Sequence, residues 1–119
     1  MHKFGVSAPH TSHCSPNGEI MISTMGKPNG DALGEFLCID SETLEIKGTW
    51  TDGDKKAKFG YDFWYQPYHD ALVASEWGVP KIFKRGFSPD DPPNIGKHFY
   101  IINVLGFFSM NVKNIKKNC

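Results

Sequence analysis

Residues 9–26, PHTSHCSPNGEIMISTMG, and residues 60–78, GYDFWYQPYHDALVASEWG, decide how this chain folds. Each reads as a strand, a proline-bearing turn and a second strand. Laid side by side, they pair Pro16 with Pro67, Met21 with Leu72, Ile22 with Val73 and Thr24 with Ser75, always 51 residues apart. An internal β repeat near this length is the signature of a propeller blade, about 40–50 residues in four strands.

Working outward, short β-rich runs recur: EFLCID (35–40), LEIKGTW (44–50) and HFYIINV (98–104), each bounded by Gly, Pro, Asn or Asp. SET, at 41–43, is a connection suited to a hairpin. Helical periodicity is hard to find. EFLCID and HFYIIN extend the repeat at a larger offset, with a longer loop before the third strand of the second copy. The prediction is therefore an all-β chain with one complete blade and three strands of a second, about one and a half four-stranded blades. No fourth strand of the second copy is evident. Propellers close with about 4–8 blades, so this chain reads as a fragment. The partial propeller is expected over 1–104 and a divergent basic tail over 105–119.

Composition narrows the function classes. The 119 residues carry 13 basic and 13 acidic side chains, which argues against an electrostatic grip on nucleic acid or an anionic membrane. The longest apolar run, YIINVLGFF at 100–108, is too short for a transmembrane helix and is interrupted by Asn103. The start, MHKFGVSAPH, lacks the apolar core of a signal peptide. Cys14, Cys38 and Cys119 form an odd, widely spaced set, unlike a secreted disulfide framework. A cytoplasmic protein is expected. No phosphate-binding glycine loop, nucleophile elbow or paired zinc-type Cys motif competes for attention.

SAPHTSHCSPNGEIMISTMG (7–26), EFLCIDSETLEIKGTW (35–50), GYDFWYQPYHDALVASEWG (60–78), GFSPDD (86–91) and GKHFYI (96–101) resemble the selenium-binding protein family, whose members are also described as methanethiol oxidases. HTSHC and YDFWYQP are the most specific strings, and the resemblance runs from about Gly5 to Ile102. It implies a cytosolic β-propeller several times longer than this chain. It also implies a copper-dependent oxidase that converts methanethiol, with oxygen and water, to formaldehyde, hydrogen sulfide and hydrogen peroxide. Selenium binding and a role in intra-Golgi protein transport come with the same resemblance. Further histidines and cysteines that it implies for a complete copper site lie outside these residues, and after GKHFY the sequence departs from the family pattern.

Copper favours imidazole and thiolate ligands, and His10, His13 and Cys14 offer both. Alternation along a regular strand puts His10, Ser12 and Cys14 on one face and His13 on the other. All three can reach one ion only if the strand is bulged or His10 lies in the preceding loop. His10, near the rim of the innermost strand, is the preferred metal ligand and His13 the second. Cys14 is the candidate for selenium; the bland alternative, a buried cysteine acting as a small hydrophobe, is favoured. Glu76 is a candidate acid/base or positioning group, with a loop hydrogen bond as its alternative.

Phe63, Trp64 and Tyr65 can wall a small thiol pocket, although packing between blades is the commoner task for such residues. Tyr61, 51 residues after His10, is expected at the same rim. Cys38 is assigned to the core. His69 is expected in an exposed turn and His98 in a structural position. Without further ligands the isolated chain is expected to be inactive. The rival readings are a selenium or thiol carrier acting through Cys14, and an interaction module acting through loops 25–34 and 78–97. Unpaired strand edges at both ends of the fragment predict self-association.

Overall fold

A computed structural model of the chain describes residues 1–51, 57–69, 71–86, 88–91, 99–103 and 110–111. A short 3₁₀ turn at His2–Phe4 leads into β1 (Ser7–Ser15), β2 (Glu19–Gly26), β3 (Ala32–Asp40) and β4 (Ile46–Thr49). These pair antiparallel, in order, as one four-stranded sheet. A second sheet repeats the plan with β5 (Phe63–Gln66), β6 (Ala71–Ser75), β7 (Phe99–Asn103) and β8 (Met110–Asn111). The two-residue β8 supplies a fourth strand that the sequence did not signal, and it falls within the segment expected as a tail. His98, Cys119 and the basic residues after 111 lie outside the described residues.

Local chemistry explains the turns. Gly18, at φ 76°, closes the β1–β2 hairpin in the left-handed region that favours glycine. Asp40 ends β3, where its carboxylate accepts the amides of Thr43 at 2.9 Å and Glu42 at 3.0 Å. Those backbone bonds, Thr43 first, hold the Asp40 carboxyl below its usual range. The SET hairpin is thus present as expected. Between β6 and β7 lies α1 (Pro80–Arg85), a six-residue helix too short to show helical periodicity in the sequence. Proline at its first turn and Gly86 at its end are the start and stop signals that delimit it.

The sheets stack face to face. Met21, Phe36 and Cys38 of the first sheet meet Phe63, Leu72 and Ala74 of the second, with Trp50 and Tyr65 at the margin. Phe63 is the main wedge, its ring 5.0 Å from Phe36 and only 4% exposed. Cys38 is core as expected, and burial pushes its thiol up to about 11.

Glycines bring the connecting segment close. A Cβ at Gly34 would lie 2.2 Å from the Phe59 carbonyl oxygen, and one at Gly60 would lie 2.4 Å from that of Thr24. Both contacts are with backbone, so the segment entering β5 can press against the first sheet only where no side chain intervenes. The α1 helix docks on the loop between β2 and β3, where Lys81 Nζ reaches Asp31 Oδ1 at 2.6 Å.

Strand pairing corrects the repeat offset. Ser15 and Gln66, 51 residues apart, pair with Glu19 and Ala71, which are 52 apart. The second hairpin turn is one residue longer, so the second strand of each copy is offset by 52. Val73, not Leu72, is the structural counterpart of Met21, and Ser75 is that of Ser23.

Candidate functional site at the rim of the first strand

Strand β1 is bulged. Pro9 pairs with Thr24 and Ser12 with Ile22, so His10 and Thr11 together face the single residue Ser23. A bulge of this kind re-aims a side chain. The His10 ring lies 4.0 Å from that of Tyr61, just ahead of β5. His13, three residues on, packs edge-on to Phe63 at 4.9 Å and Trp64 at 5.0 Å. The bulge therefore turns both histidines toward the second sheet, where strict alternation would have separated them. Tyr61 shares the rim with His10, as the spacing implied.

Ser23, a residue the sequence gave no reason to choose, holds this rim together. It is 2% exposed. Its hydroxyl accepts the Thr11 amide at 3.0 Å and donates to the Tyr61 carbonyl at 2.6 Å. Thr11 Oγ1 in turn lies 2.8 Å from His10 Nδ1. Behind Tyr61 stands Trp77 at 4.8 Å, and beyond it Phe83 at 6.0 Å. An aromatic column thus runs from His10 along the rim.

The other candidates are distributed differently. Glu76 follows β6 at the same rim, partly buried and next in the chain to Trp77. Cys14 follows His13 on the edge strand β1, and alternation points it to the opposite side. It is exposed, which corrects the expectation that it is a buried small hydrophobe. The physical reason is its place on an edge strand, at the open margin of the sheet. Four residues of strand span about 13 Å, so Cys14 and His10 occupy different ends of β1. His69 sits in an exposed turn, as expected.

Of the aromatic trio, Phe63 and Tyr65 line a cleft of about 240 Å³ between the sheets at the β1–β2 hairpin end, together with His13, Cys14 and Trp50. Trp64 does not line it; its ring is 65% exposed beside His13.

Among the described residues no three His, Cys, Asp or Glu side chains come together as a metal-binding group. His10 suits a single ligand position, because one ring nitrogen is engaged by Thr11 and the ring is exposed at the rim. His13 suits it less well, since its ring is packed edge-on against two aromatic side chains. No helix of the described residues is long and apolar enough to cross a membrane.

Comparison with known proteins agrees with this architecture. Residues 1–118 match the family described as 56kDa selenium binding protein (SBP56). A methanethiol oxidase of Danio rerio is 52% identical over 89 residues, 75% of this chain and 20% of that protein. Selenium-binding protein 2 of Mus musculus is 48% identical over 87 residues, 73% of this chain and 18% of its own length. The crystal structure of a hypothetical selenium-binding protein from Sulfolobus tokodaii superposes with a TM-score of 0.74 at 32% identity, over 85% of this chain and 22% of that one. The chain thus spans about a fifth of the length of the relatives it matches.

Proposed function

The chain belongs to the selenium-binding protein family, and from that premise we propose that it is a two-sheet portion of a copper-dependent methanethiol oxidase. The identity near 50% to proteins named methanethiol oxidase carries this reading. In the complete propeller, His10 supplies one copper ligand through its outward ring nitrogen. His13 is the second choice, and Glu76 holds or moves a proton at the same rim. Copper, when bound, would polarise the thiol sulfur and accept electrons one at a time. This chain's own part is to fix the His10 ring, exclude water from one side of it through Tyr61 and Trp77, and offer the Phe63–Tyr65 cleft to a small apolar thiol.

The isolated chain binds copper loosely and does not turn over methanethiol, because its described residues supply at most two imidazoles toward one ion. Titration with Cu(II) tests the assignment. His10→Gln should weaken binding at least tenfold, and His13→Gln less than threefold. Equal affinity in wild type and His10→Gln would remove His10 from the site. Oxygen consumption with methanethiol and copper should stay at the level of copper alone; turnover by the 119-residue chain would refute the incomplete-site reading.

A second reading, selenium or thiol carriage, is favoured by one observation, the exposed thiol of Cys14. Alkylating Cys14 should abolish capture of selenite-derived selenium while copper binding persists. The outward face of the second sheet supports self-association. There Trp64 (65% exposed) and Val73 (39% exposed) occupy the positions that His13 and Met21 hold between the sheets. Sedimentation should find dimers or larger species; a monomer at high concentration would contradict association.

A further inference from the structure

We propose that Tyr61 is a positioning residue for His10, held in place by Ser23, so that the aim of the candidate ligand is set from the neighbouring sheet. The inference rests on the reading of His10 as a copper ligand. Four contacts close a circuit around the imidazole. The Tyr61 ring covers one face of His10, with centroids 4.0 Å apart and planes tilted by 36°. The Tyr61 carbonyl accepts the Ser23 hydroxyl at 2.6 Å. Ser23 accepts the Thr11 amide at 3.0 Å, which pins the bulge. Thr11 Oγ1 returns to His10 Nδ1 at 2.8 Å.

Each contact removes one freedom from an otherwise exposed side chain. The stacked ring restricts χ1 and χ2. The hydrogen bond with the Thr11 hydroxyl engages Nδ1, which leaves Nε2 as the ring nitrogen presented outward. Trp77, 4.8 Å behind Tyr61, keeps the tyrosine ring from swinging away. The approach of the segment carrying Tyr61 depends on Gly34 and Gly60, where any Cβ would strike backbone. Tyr61 touches neither substrate nor metal in this arrangement and acts only through His10.

Loss of a group that orients a metal-binding histidine typically costs about 10–100-fold in affinity. The test compares the full chain as wild type, Tyr61→Phe, Tyr61→Leu and His10→Gln, each titrated with Cu(II) and followed by electron paramagnetic resonance. Far-UV circular dichroism on each variant establishes that the sheets persist. Tyr61→Phe keeps the ring and should reproduce the wild-type affinity and copper hyperfine pattern. Tyr61→Leu should lose about tenfold in affinity, toward the lower end of that range, and show a broadened hyperfine pattern. An unchanged pattern and affinity in Tyr61→Leu, with His10→Gln impaired, would overturn the positioning role while leaving His10 as ligand. Wild-type behaviour in His10→Gln would instead overturn the ligand assignment. Loss in Tyr61→Phe equal to that in Tyr61→Leu would also refute the proposal, because it would tie the effect to the phenol oxygen and not to the stacked ring.

Discussion

Replacing Ser23 by alanine should destabilise the chain by about 2 kcal/mol, whereas the matching change at Ser75 should cost about 0.5 kcal/mol or less. The two serines are counterparts in the repeat, and their hydroxyls accept the amides of the counterpart residues Thr11 and Asp62. Among the described residues, Ser75 Oγ meets the amide and carbonyl of Asp62, each at 3.2 Å, in an exposed setting where water can replace it. Ser23 Oγ is buried and links the bulge of one sheet to Tyr61 at the entrance to the next. Removing it leaves the Thr11 amide and the Tyr61 carbonyl without those partners, a loss of about 1–3 kcal/mol. Side-chain volume hardly changes, so no cavity contribution adds to it.

Urea unfolding at one fixed chain concentration reads the difference. With m of about 1.5 kcal/mol/M, 2 kcal/mol moves the midpoint by about 1.3 M, against about 0.3 M for Ser75→Ala. Midpoints for the two variants within about 0.3 M of each other would refute the claim that Ser23 joins the sheets.

Other consequences follow from the same packing. Phe63→Ala empties the wedge between the sheets and should cost about 3–5 kcal/mol in urea midpoints, while Trp64→Ala, on the exposed face, should stay within about 0.5 kcal/mol. Gly34→Ala places a methyl against the Phe59 carbonyl and should destabilise by about 1–3 kcal/mol, visible as a lower melting temperature. At pH 8 iodoacetamide should label exposed Cys14 while buried Cys38 reacts only on unfolding, so mass spectrometry that found Cys38 labelled first would contradict the burial order. Cys38 also sets an alkaline limit, since its thiol is raised from 9.0 to about 11 in the fold. The folded form retains the proton longer, so this contribution is complete below pH 9 and fades as pH climbs toward about 11. Cys38→Ala should flatten that part of the stability profile.

The hairpins, the two-sheet repeat and the family were legible because strand alternation, turn residues and rare strings such as HTSHC sit in the chain itself. The bulge at His10 and Thr11 was named only as a condition, because nothing in PHTSHC marks which residue is extra; the pairing with Ser23 decides it across the sheet. The one-residue slip between Leu72 and Val73 arose from assuming equal turns, although PNG and PYHD differ in length. Ser23 was invisible because a serine within a strand has no local signature when its partners are 12 and 38 residues away. Cys14 was misjudged since cysteine composition favours burial, and only the sheet order reveals that its strand is an edge. Helix α1 is shorter than two turns, below the length at which periodicity speaks, though Pro80 and Gly86 bracket it.

The most direct test of the account is the nuclear Overhauser contact between the His10 and Tyr61 rings in the full chain. With centroids 4.0 Å apart, cross-peaks between imidazole and tyrosine ring protons should be strong, and they should vanish in Tyr61→Leu. Their absence in a folded wild-type chain, with His10 protons instead contacting neighbours of Cys14, would mean that β1 runs without the bulge. The rim site would then not exist as described.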